Sequence, residues 1–141
     1  MISTLLAAWF LLAVTVTIHA AGLSAILPRI SIQPNQRFRS RMWHLIQIAW
    51  ALVILHLAEI LVWALFYWWQ KLLPDAETAF YFSGVTYTTL GYGDVVLPKE
   101  WRLLAPVEGM TGILMSGLST GLFFAVVSRM YGSLVKREPD E

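Results

Sequence analysis

Three long stretches of this chain carry almost no charge, and that pattern dictates the solvent in which it folds. Met1 to Leu27 contains no Asp, Glu, Lys or Arg. Met42 to Trp69 is interrupted only by His44, Gln47, His56 and Glu59, and a third apolar stretch runs from about Leu103 to Tyr131. An apolar run of about 18 or more residues with few or no charges is long enough to cross a bilayer as a helix. The chain is 57% hydrophobic and only 13% charged, with a mean hydropathy of +0.62. Soluble domains carry about twice that charged fraction. A chain of 141 residues cannot bury so much apolar surface in one soluble core, so the excess belongs in lipid. The first stretch lacks the positively charged start of a cleaved signal peptide and reads as a retained helix. The expected fold class is therefore an all-α membrane protein with three transmembrane helices.

The connections between the stretches divide the chain. Residues 1–28 form an N-terminal span, 29–42 a basic loop, 43–131 the main membrane domain and 132–141 a short tail. The basic loop holds Arg29, Arg37, Arg39 and Arg41 and no acid, and the C-terminal end carries Arg129, Lys136 and Arg137. Both ends read as cytoplasmic, because arginine and lysine concentrate on that face. The 70–102 connection mixes Lys71, Lys99 and Arg102 with Asp75, Glu77, Asp94 and Glu100 and reads as external. The N-terminus then also lies outside. Phe66 to Trp69 form an aromatic belt of the kind that sits at a membrane–water interface. The location is a cell (inner or plasma) membrane, with lipid as the surrounding partner.

Between the second and third spans lies a segment too short to cross. Ala79 to Thr88 is apolar and leads into Thr89-Leu90-Gly91-Tyr92-Gly93-Asp94. Non-helical backbone at membrane depth is tolerated only where it is buried in protein or lines a water-filled path. The pattern therefore reads as a re-entrant element: a short helix dips in and a glycine-rich return follows. Gly91 and Gly93 permit backbone angles that a Cβ opposes, so consecutive carbonyls can face one axis.

Residues 88 to 94 resemble the signature of potassium channels, with Leu90 where that family usually has valine. The resemblance covers about residues 43 to 131 as outer helix, pore helix, selectivity filter and inner helix. It implies a homotetramer, since four filter loops are needed to surround one ion with carbonyl oxygens. It implies K+ ligation by the carbonyls of Thr89, Leu90, Gly91 and Tyr92, with the Thr89 hydroxyl as the innermost ring and Gly93 closing the mouth. Thr88, Asp94 and Val85 are the implied filter supports. Val85 stands where some members have glutamate, which removes one holder of Asp94. Gly112, with Gly117 as rival, is the implied gating hinge; Gly117 and Gly121 alternatively form a small-residue packing surface. The N-terminal span has no counterpart in the two-helix members.

Other residues carry plainer readings. His56 and Glu59, three apart on one helix face, form an interhelical hydrogen-bonded pair rather than a metal site, which needs more ligands. Glu108 either attracts cations or braces the pore helix. Arg37, Arg39 and Arg41 suit anionic lipid rather than voltage sensing, which places arginines within a membrane helix. The expected function is passive potassium permeation. The alternatives are a weakly selective cation channel, or a non-conducting scaffold or regulatory subunit. No enzymatic constellation is present, no cofactor beyond the permeant K+ is implied, and neither nucleic acid nor a small-molecule substrate is expected as a partner.

Overall fold

A computed structural model describes residues 2–29 and 38–135. Among these the chain forms four helices and no strand: α1 (Ile2–Ile26), α2 (Phe38–Trp69), α3 (Ala76–Tyr87) and α4 (Leu104–Val135), with short 3-10 turns at Leu27–Arg29 and Lys99–Trp101. Three helical spans, Ile2–Ile26, Arg39–Trp69 and Lys99–Met130, are long and apolar enough to cross a membrane. Arg37, Lys136 and Arg137, which carry part of the orientation argument, lie outside the described residues.

The ends of α2 and α4 differ from the sequence reading. Helix α2 begins at Phe38, so Arg39 and Arg41 stand in its first turns rather than in a loop. No proline follows Pro34 until Pro74, and Arg and Met are good helix formers, so nothing local stops the helix sooner. Helix α4 likewise continues past Gly132 to Val135.

Helix α1 packs on both α2 and α4, and α3 lies against the same two helices. At the end nearest the 70–102 connection, Ala8, Leu11, Trp63, Tyr67, Leu73, Ala79, Phe82, Leu97 and Leu104 form one core. At the opposite end Ile26, Ile48, Leu52, Val126 and Met130 form another. In lipid, helix association depends on close packing and interhelical hydrogen bonds, because the tails are as apolar as the side chains. Thr15 supplies one such link: its hydroxyl donates to the Leu11 carbonyl at 2.8 Å and accepts from Trp63 Nε1 at 3.0 Å. Thr4 Oγ1 donates to the Glu100 carbonyl at 3.0 Å, so the start of α1 and the 99–101 turn share one end of the molecule.

Candidate functional site

The site is assembled from the start of α3 downward. Asp75 has extended backbone and caps the helix, its Oδ1 accepting from the Thr78 backbone N–H at 2.7 Å and its Oδ2 from the Thr78 hydroxyl at 2.9 Å. That backbone N–H, with the hydroxyl behind it, holds the Asp75 carboxyl below the ordinary carboxylate range. A lowered value means that the cap is complete at neutral pH and is lost only as pH falls through the lowered value. The apolar stretch expected at Ala79 to Thr88 thus begins its helix three residues earlier, at Ala76.

Buried polar groups hold α3 in place. The Ser83 hydroxyl sits between the Ile60 carbonyl oxygen, at 2.8 Å, and Glu108 Oε1, at 2.5 Å. Tyr67 donates to Glu108 Oε2 at 2.7 Å. Ser83, Tyr67 and Glu108 are all fully buried. Of the two roles open to Glu108, this geometry is that of a brace joining α2, α3 and α4.

Thr88 closes α3, with its backbone N–H and its hydroxyl both directed at the Gly84 carbonyl, at 3.1 and 2.7 Å. The chain then turns back along the end of the helix. Thr89 N–H donates to the Thr86 carbonyl at 3.0 Å, and Gly91 N–H to the Val85 carbonyl at 3.1 Å. Three alternate residues have left-handed backbone: Thr89 (φ 62°), Gly91 (φ 49°) and Gly93 (φ 79°). Glycine adopts this at little cost. Threonine does not, and such a residue stores about 1–3 kcal/mol that the surroundings must over-determine. The strained Thr89 was not legible in the sequence, which marked only the glycines as special.

The structure brings Val85, Thr88, Thr89, Leu90, Gly91, Tyr92, Gly93 and Asp94 together at the C-terminal end of α3. Residues 88 to 94 are exposed in the single chain, including the large side chains of Leu90 and Tyr92. Val85 is half-buried and cannot hold Asp94, but another residue does: Tyr81 Oη donates to Asp94 Oδ2 at 2.7 Å. A cleft behind the turn is lined by Phe82, Val85, Thr89, Gly93, Pro106 and Met110, among others. The two glycines read as hinge candidates differ in surroundings. Gly112 lies against the backbone of Tyr87, where an added Cβ would stand 2.9 Å from the carbonyl carbon and closer still to its oxygen. Gly117 and Gly121 have open space at that position. Helix α4 is uninterrupted through all three.

A model of a family described as ion channel matches residues 53–129, more than half of the chain. The chain belongs to this ion-channel family. No curated protein and no solved structure matches it. The match starts inside α2 and ends inside α4, so the channel-family unit contains α3 and the whole 88–94 turn. Membership accords with a transport role rather than catalysis. Helix α1 lies outside the matched residues, yet it is joined to the channel-family unit by buried hydrogen bonds.

The densest of these joints surrounds Glu59, which is fully buried. His19 Nδ1 lies 2.8 Å from Glu59 Oε1. His56 Nδ1 lies 3.5 Å from Glu59 Oε2 and 2.9 Å from the Tyr87 hydroxyl. Tyr87 in turn donates to Glu59 Oε2. The expected His56–Glu59 pair is therefore one edge of a larger cluster that includes His19 from α1 and the last residue of α3. Sequence reasoning missed His19, although it is the one histidine in the uncharged first stretch.

Proposed function

We propose that the chain is the subunit of a potassium-selective channel, working as a homotetramer with α3 as a re-entrant pore helix and residues 89 to 93 as the filter. The observation that carries this reading is the left-handed backbone at Thr89, Gly91 and Gly93. Alternating handedness swings successive N–H groups to one side of the chain and the carbonyls to the other. A row of carbonyls on one side is the equipment for replacing the hydration shell of a monovalent cation.

Each part has a role in that mechanism. The carbonyls of Thr89, Leu90, Gly91 and Tyr92 bind the dehydrated ion in successive layers, and the Thr89 hydroxyl forms the innermost one. Gly93 and Asp94 form the outer mouth. The C-terminal end of α3 carries the negative end of its dipole, which favours a cation there. One chain supplies a single carbonyl row, so closure around an ion requires cyclic symmetry. The exposed Leu90 and Tyr92, and the exposed apolar residues Met110, Ile113, Leu114 and Leu118 of α4, give neighbouring copies surfaces to cover. The N-terminus and the 70–102 connection face the outside, and the C-terminus faces the cytoplasm.

The test is ion flux from proteoliposomes containing the purified chain. The expected result is potassium flux blocked by barium, with far slower sodium flux. Equal flux of the two ions would make the chain a weakly selective cation channel, and no flux of either would make it a scaffold or regulatory subunit.

A further inference from the structure

The strongest feature that ion permeation does not use is the cluster at the junction of all four helices. His19 comes from α1, His56 and Glu59 from α2, Tyr87 from the end of α3, and Ser119 from α4. One ring nitrogen of each histidine and one carboxylate oxygen of Glu59 lie within 4.8 Å of one another. From this geometry we infer that His19, His56 and Glu59 form an intramembrane site for a divalent transition metal of the zinc class.

The donor set selects the ion. Two imidazoles and one carboxylate suit zinc, nickel or cobalt, whereas calcium and magnesium demand oxygen ligands. The chain has no cysteine, so no thiolate draws in softer ions. With metal–ligand bonds of about 2.0–2.2 Å, tetrahedral ligands stand roughly 3.4 Å apart. His19 Nδ1 stands 2.8 Å from Glu59 Oε1 and His56 Nδ1 3.5 Å from Glu59 Oε2, so the two imidazoles meet the two oxygens of one carboxylate, with all three donors within 4.8 Å. The Tyr87 hydroxyl, 2.9 Å from His56 Nδ1 and donating to Glu59 Oε2, adds a polar oxygen beside the three donors. Metal-bound histidines usually give their other ring nitrogen to a polar partner, and Ser119 Oγ lies 3.5 Å from His19 Nε2. His56 retains 21% exposure, which opens the site from one side, while His19 and Glu59 are closed off. The ligands come from two helices, so the ion clamps α1 to the channel-family unit. The inference does not depend on which ion the pore conducts.

The experiment is zinc binding to the full chain purified in detergent without a histidine tag, by calorimetry, with elemental analysis for stoichiometry and zinc-edge X-ray absorption for the ligands. One zinc per chain with imidazole in its shell is expected, together with a rise in thermal midpoint on adding zinc. His56→Gln, at the partly exposed ligand, should weaken binding by more than about 100-fold, beyond the 10–100-fold that loss of an outer hydrogen-bond partner costs. His19→Gln and Glu59→Gln should do the same if they fold; if either fails to fold, His56→Gln decides. His44→Gln, at the far end of α2, should bind zinc as the parent does. A parent that binds no zinc overturns the site, as does His56→Gln with unchanged affinity or an absorption edge without imidazole. These readouts contain no ion flux, so their failure leaves the potassium reading standing, and failure of that reading leaves the metal site standing.

Discussion

The Tyr81 hydroxyl donates to Asp94 Oδ2 at 2.7 Å, joining the middle of α3 to the residue that follows the Gly-Tyr-Gly turn. It gives Asp94 a hydrogen-bond partner where Val85 offers none. Tyr81→Phe removes the donor and keeps the ring. The expected outcome is a channel that still prefers potassium but whose current decays faster after opening, recorded in planar bilayers. Unchanged decay would show that Asp94 is held by something else.

The brace at Glu108 separates stability from permeation. Glu108→Ala leaves the buried Tyr67 hydroxyl without its acceptor, at about 1–3 kcal/mol, whereas Ser83 keeps the Ile60 carbonyl. Glu108→Gln keeps one oxygen as an acceptor and should lose less. Thermal unfolding in detergent should rank the parent above Glu108→Gln and Glu108→Ala last, with the unitary conductance of Glu108→Gln unchanged. A conductance that falls with the charge would assign Glu108 to attracting cations instead.

Gly112 and Gly117 are expected to respond in opposite directions to the same methyl group. Alanine in a helix gains about 1 kcal/mol over glycine. At Gly117 nothing in the chain opposes that gain. At Gly112 the Cβ meets the Tyr87 backbone, and overpacking costs about 1–3 kcal/mol. Gly112→Ala should therefore lower the thermal midpoint and Gly117→Ala should not. Equal midpoints would mean that α4 does not approach α3 this closely.

The contact between Thr4 and Glu100 fixes which ends share a side. The chain has no cysteine, so single-cysteine variants give clean labelling. Ser3→Cys and Lys99→Cys should react with an impermeant maleimide from outside intact cells, and Arg129→Cys only after permeabilisation. Labelling of Ser3→Cys and Lys99→Cys from opposite sides would contradict the α1 packing.

The three spans were readable because their apolar runs are far longer than any core helix of a small soluble domain, and the short α3 because polar residues and glycines bound it. Their ends were less readable: Arg39 and Arg41 look like loop in a hydropathy profile but propagate a helix as well as apolar residues do. The glycines at 91 and 93 announced unusual backbone, whereas the left-handed Thr89 is imposed by the turn around it and leaves no local signal. Tertiary partners were the least readable. His56 and Glu59 were visible as a helical i,i+3 pair, but His19 lies 40 positions from Glu59 and only packing brings them together. Tyr81 looked like one more aromatic of an apolar helix until the turn placed Asp94 beside it.

If the backbone of residues 89 to 92 selects potassium, as proposed, the bi-ionic reversal potential of Gly91→Ala beside the parent should reveal it. Gly91 has φ of 49°, where a Cβ costs on the order of 1 kcal/mol or more in each subunit. The parent should reverse at a potential set by potassium against sodium, and Gly91→Ala should lose that preference or cease to conduct while still inserting in the membrane. Leu90→Val should keep the preference, since the carbonyl is unchanged. Gly91→Ala conducting with undiminished preference for potassium over sodium would mean that the permeation path does not run through this segment.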